Sequence, residues 1–112
     1  MKKMLTLSAL LLASSSAFAA FNGPEVASIN AVNEALNAKD ESFVILTGNI
    51  TKSLGNEMYL FEDKTGEIQI EIDDDNWMGV DVTPQDTVVI RGEVDGEWTT
   101  TTIDVDTIQK LK

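Results

Sequence analysis

"YLFEDKTGEIQIEI", Tyr59 to Ile72, alternates strictly enough to decide the fold. Met58 to Asp63 reads as a strand, Lys64-Thr65-Gly66 as a tight turn, and Glu67 to Ile72 as the next strand. In that last segment Ile68, Ile70 and Ile72 share one face, while Glu67, Gln69 and Glu71 share the other, the period-two pattern of a half-buried strand. With Tyr59 and Phe61 pointing inward, Leu60 points outward beside Gln69 and the glutamates.

The flanking sequence extends this hairpin in both directions. Upstream, Phe43 to Ser53 reads as a long first strand, with Gly48 marking a bulge or bend, and Leu54 to Glu57 as a turn. Before it, Glu25 to Lys39 places Val26, Ile29, Val32 and Leu36 near one face, predicting an amphipathic helix of about three turns. Downstream, Asp73 to Asp86 is the longest connection and carries Gly79 and Pro84. Thr87 to Val94 is a fourth strand, with Val88, Ile90 and Val94 inward beside Gly92. Asp95-Gly96 signals a hairpin, and Trp98 to Thr107 a fifth strand with Ile103 and Val105 inward. One helix followed by five strands predicts a mainly β domain: a five-stranded Greek-key barrel whose closure removes exposed edges, with a short helix or turn between strands three and four.

The first residues set an expected compartment. Lys2 and Lys3 precede an apolar run from Met4 to Ala13, and Ala17-Phe18-Ala19 is a cleavage pattern. Residues 1–19 thus read as a cleavable signal peptide, 20–24 as a flexible lead-in, and 25–112 as one domain. Cleavage after Ala19 leaves 93 of the 112 residues. Losing Lys2 and Lys3 takes the formal charge from −11 to −13. Such an acidic domain repels nucleic-acid phosphates, and the apolar run is too short to hold the mature chain in a bilayer. With no cysteine, an ordinary hydrophobic core must hold the fold in an oxidising compartment, which fits a bacterial periplasm.

Several motifs together carry a family resemblance. "GNI" (48–50), the segment from Tyr59 to Trp77, "VTPQDTV" (82–88), "GEVDGEW" (92–98) and "IDVDTI" (103–108) resemble the bacterial OB-fold family, BOF or DUF388, of small periplasmic stress-tolerance proteins. The resemblance covers the chain from signal peptide through the "FNGP" lead-in to the last strand. It implies an OB-fold and a non-enzymatic periplasmic protein tied to envelope stress, with envelope glycans and small charged molecules among the ligands proposed for the family. In "DDDNW" it extends to Asp73 and Trp77; relatives carry basic or histidine-containing residues where Asp74 and Asp75 stand.

Residue types narrow the chemistry. The chain has no histidine and no cysteine, which removes histidine- and thiol-based nucleophilic systems and zinc sites. The serines after the signal segment, Ser28, Ser42 and Ser53, lie in no nucleophile motif. No catalytic residue and no cofactor are expected. A calcium loop starting at Asp73 would need an oxygen ligand at its fifth place, glycine at its sixth and glutamate at its twelfth; those places hold Trp77, Met78 and Pro84. No metal ligands are therefore assigned, although weak divalent-cation binding by the acidic surface is the alternative function.

The expected ligand face is the outer side of strands two and three: Leu60, Gln69, Glu71 and Trp98. Strict alternation leaves Trp98 outward as a stacking platform, whereas a bulge after Asp95-Gly96 would turn it in. This face would suit an envelope glycan, a cationic peptide or an envelope partner protein. Trp77 is expected to close the barrel end, Asp73 to Asp75 to cap the turn before it, and Arg91 to pair with a carboxylate on the sheet.

Overall fold

A computed structural model describes residues 28–96 and 99–111. The expected signal peptide, lead-in and first helical residues lie outside this range, as does Trp98. The strands are β1 (Phe43–Gly55), β2 (Met58–Asp63), β3 (Gly66–Glu71), β4 (Val88–Asp95) and β5 (Thr102–Lys110). They close into a barrel in the order β1-β2-β3-β5-β4, with β4 returning to β1. All seams are antiparallel except β3–β5, which is parallel and only three residue pairs long, Gln69–Thr102 to Glu71–Asp104.

The long first strand serves two partners. Phe43 to Gly48 pairs with β4, and Asn49 to Gly55 with β2. Gly48 stands at the switch because a Cβ there would lie 2.2 Å from the Glu62 carbonyl oxygen. The inward residues meet in a single core that includes Val44, Leu46, Phe61, Ile70, Ile72, Ile90, Ile103 and Val105, all fully buried. Each contributes about 1.5–3 kcal/mol by leaving water. Among the described residues no polar or charged side chain is buried.

The N-terminal segment departs from expectation. Helix α1 is a single turn, Val32–Ala35. Ile29, assigned to the helical stripe, instead forms a parallel bridge with Val44, donating its N–H to the Phe43 carbonyl at 3.1 Å and accepting from the Ile45 N–H at 2.9 Å. β2 does not reach that part of β1, so an open strand edge competes with the helix and wins. Val32 and Ala35 are buried, but Leu36 is 41% exposed.

The last strand is also shifted. β5 starts at Thr102, opposite Asp95, so the connection runs from Gly96 to Thr101 and is longer than a two-residue hairpin. Arg91 faces Thr107 and Gly92 faces Val105, which leaves Asp106 as an extra residue. That bulge flips the inward parity, and Ile108 becomes a core residue beyond the expected end of the strand.

Candidate functional site

Cross-strand register assembles the expected ligand face. Leu60 lies opposite Gln69, and Gln69 opposite Thr102, forming one outward row. The next row runs Met58, Glu71, Asp104, Glu93 across β2, β3, β5 and β4. Leu60, Gln69 and Glu71 therefore share a surface as expected, and the face is more acidic than alternation on one strand could reveal. Glu71 and Asp104 meet across the short parallel seam, where like charges directly opposite are destabilising.

Turn geometry adds more carboxylates. Gly55, Asn56 and Glu57 take three successive left-handed conformations, φ 87°, 55° and 65°, swinging Glu57 against the end of β3. Its carbonyl accepts from the Ile72 N–H at 2.9 Å, and its carboxylate accepts from the Asp74 N–H at 2.8 Å. Glu57 thus caps the 3-10 turn Asp74–Trp77, in place of the expected aspartate cap: the N-cap residue Asp73 makes no side-chain cap bond. Carboxylate oxygens of Glu57, Glu71 and Asp73 lie within 4.8 Å of one another. Hard oxygen ligands in this number suit a divalent cation such as calcium, which would still need further oxygens.

The electrostatics follow from this crowding. Partial burial, then Asp104, Asp73, Glu57 and Asp95, push the Glu71 pKa up. Partial burial, then Asp106, Asp73 and Asp95, do the same for Asp104. Both groups hold a proton more tightly in the folded chain than in the unfolded one. Acidification from neutral pH through their folded pKas therefore adds stability, and the gain is complete below the ordinary carboxylate range. Asp63 and Asp86 act oppositely, because their pKas are lowered and their contribution is lost as pH falls through those values. Stability at low salt should rise as pH drops from 7 and decline only in stronger acid. Glu71→Gln with Asp104→Asn should remove the rise and add about 0.5–1 kcal/mol at pH 7. Thermal melts across this range check both; a wild-type Tm that only falls from pH 7 contradicts the account.

Other expected contacts are redistributed. Trp77 sits at the barrel end but is only half-buried, packed edge-to-face on Tyr59 with ring centroids 5.4 Å apart and planes at 80°. Among the described residues Arg91 makes no ion pair; the pair present is Lys110–Asp86 at 3.8 Å.

The model of the family "Bacterial OB fold (BOF) protein" matches residues 12–110. The chain belongs to the BOF family. It is 43% identical to protein YgiW of Escherichia coli K12 over 84 residues, covering 75% of this chain and 65% of YgiW, and so matches just under two thirds of that relative. It is 33% identical to the calcium-regulated OB-fold protein CarO of Pseudomonas aeruginosa, covering 84% of this chain and 82% of CarO. The solved structure of the hypothetical protein ygiW from E. coli superposes with a TM-score of 0.73 at 41% identity, covering 84% of this chain and all of that one. The BOF identity and the closed barrel agree with the expectations from sequence.

Proposed function

We propose that this BOF chain is a non-enzymatic binding module of the bacterial periplasm that contributes to envelope stress tolerance by holding a cationic peptide on the outer face of β2 and β3. The observation that carries the reading is the carboxylate row Glu71–Asp104–Glu93, beside the Leu60–Gln69–Thr102 row. An apolar contact flanked by acids suits a peptide with basic and apolar residues, and the wider field of a −11 chain attracts it. The signal-like residues 1–19 support the compartment. No helix of the described residues is long and apolar enough to cross a membrane. The lack of histidine and cysteine supports a role without catalysis. A glycan on this face would draw on Trp98, whose placement lies outside the described residues.

A second reading has its own observation. The Glu57, Glu71 and Asp73 carboxylates converge from a turn and the end of β3, and CarO is named for calcium regulation. In this reading calcium occupies one end of the same acidic face.

Calorimetric titration with a decapeptide alternating lysine and leucine tests the proposal. Binding should weaken about tenfold when salt rises from about 50 to 300 mM, and by a similar factor in Glu71→Gln/Asp104→Asn. Calcium that competes with the peptide, and loses this effect in Glu57→Gln, favours the second reading as a companion to the first. Absence of binding, or affinity indifferent to both salt and substitution, sinks the peptide reading.

A further inference from the structure

Beyond the Leu60 row, where Lys52 stands opposite Leu60, the barrel carries a different kind of surface. Tyr59, Trp77 and Val82 are shared by two adjoining clefts of about 200 and 430 Å³. Lys52 and Pro84 line the first, Gly79 and Asp81 the second. Through Thr51 and Pro84 the first cleft continues into a third, of about 700 Å³, reaching Thr47 and Thr87. We propose that this track is a binding site for a proline-rich peptide in the polyproline II conformation, with the Tyr59–Trp77 pair seating a proline and Asp81 meeting a basic residue beside it.

Ring geometry argues for proline first. Two rings at 80° with centroids 5.4 Å apart form a corner, not the single open plane on which a sugar ring stacks. A pyrrolidine ring fits a corner between two aromatic faces, and aromatic-lined grooves are the usual receptors of polyproline II segments. Among the described residues, neither the Tyr59 hydroxyl nor the Trp77 indole N–H has a hydrogen-bond partner. A polyproline II chain has no internal hydrogen bonds and offers unpaired carbonyls to such donors.

β1 is paired with β4 over Phe43 to Gly48 and with β2 over Asn49 to Gly55, and Ile29 bridges to Val44. In the polyproline mode side chains do the recognising, here Tyr59 and Trp77 first. Met78, left-handed at φ 53° and 84% exposed, and Gly79 at φ 79° turn the chain back directly after Trp77; the Val80 N–H donates to the Trp77 carbonyl at 2.9 Å, and Val80 to Val82 line the same cleft.

Charge sets the flank. Across the three clefts the charged residues are two lysines, Lys52 and Lys64, against Glu62, Asp63 and Asp81, so the track is close to neutral in a strongly acidic chain. Asp63 is consumed by its own hydrogen bonds. Among the described residues the Asp81 carboxylate has no ion pair, and Lys110 binds only its backbone carbonyl. An uncharged proline core with one arginine complements that pattern.

The test uses Trp77 as its own reporter in a Trp98→Phe background. Acetyl-(Pro)6-Arg-amide should shift Trp77 emission saturably, with Kd on the order of 100 μM. Asp81→Asn should weaken this peptide about fivefold and leave acetyl-(Pro)6-amide unchanged. Glu71→Gln/Asp104→Asn should leave both titrations unchanged, which separates this site from the acidic face. No saturable shift at Trp77 overturns the proposal. So does a shift by chitotetraose equal to that by the proline peptides, or an arginine effect that follows Glu71 and Asp104 in place of Asp81.

Discussion

Gly92→Ala should destabilise the barrel by about 3 kcal/mol or more, a large share of what a domain of this size has to spare. Gly92 sits at the β4–β5 bulge, opposite Val105. A Cβ built there lies 2.0 Å from the Asp104 carbonyl oxygen and 2.9 Å from both the Asp104 carbonyl carbon and the Val105 Cα. All three are backbone atoms, so no rotamer change relieves the clash, and β5 itself must move. β5 carries Ile103 and Val105 into the core and forms the short parallel seam with β3, so displacing it opens the barrel at its weakest closure. Gly66→Ala is the matched control, because its Cβ meets only Val32 Cγ1 at 3.6 Å. Urea denaturation should show a lower midpoint for Gly92→Ala and a near wild-type midpoint for Gly66→Ala. Equal midpoints for the two variants would contradict the bulge argument.

Asp63→Ala should cost about 2–3 kcal/mol, because one carboxylate joins the hairpin to the helix. Its Oδ1 accepts from the Thr65 N–H at 2.7 Å, the Thr65 hydroxyl at 2.6 Å and the Gly66 N–H at 3.2 Å. Its Oδ2 accepts from the Val32 N–H at 2.9 Å. The Thr65 hydroxyl it positions accepts in turn from the Asn33 N–H at 2.9 Å. Two free N–H groups of α1 are thus satisfied from the β2–β3 turn, since Ala31 at the N-cap has no side chain to do it. Burial alone would raise the Asp63 pKa, but the Thr65 hydroxyl and the three N–H donors outweigh it and hold the carboxyl below its usual value. Asp63→Asn keeps the Oδ1 acceptor and should cost about half as much. In both variants the loss of stability in strong acid should be shallower than in wild type. A full-strength acid limb in Asp63→Ala would show that the carboxylate does not carry this linkage.

The barrel was legible because its inward positions repeat with period two. Ile68, Ile70 and Ile72 declare their face without help, and the inward members of the fourth strand do the same. Legibility ended wherever a contact far along the chain decided the outcome. Ile29 matches a helical stripe by spacing, yet an unfilled edge at Val44 takes it into the sheet. Ile108 is hidden by the extra residue Asp106, which reverses parity in mid-strand. The acidic site divided in the same way. Gln69, Glu71 and Leu60 follow from alternation, but Asp104 joins them only through the parallel β3–β5 register. Glu57 joins only because the chain takes left-handed conformations at Asn56 and Glu57; Gly55 and Asn56 signal a turn, but nothing local signals the left-handed Glu57. The aspartates of "DDDNW" read as a turn cap from sequence; Glu57 does the capping, and of the three only Asp73 reaches the carboxylate group.

The acidic outer face is the centre of this account, and mapping a bound ligand onto it is its most direct test. Backbone amide shifts of the folded domain, followed by NMR through a titration with the alternating lysine-leucine peptide, report the contact surface. The largest changes should fall on Leu60, Gln69, Glu71, Thr102 and Asp104, and should collapse in Glu71→Gln/Asp104→Asn. Changes centred on Thr47, Thr87 and Trp77, or none above those caused by salt alone, would contradict it.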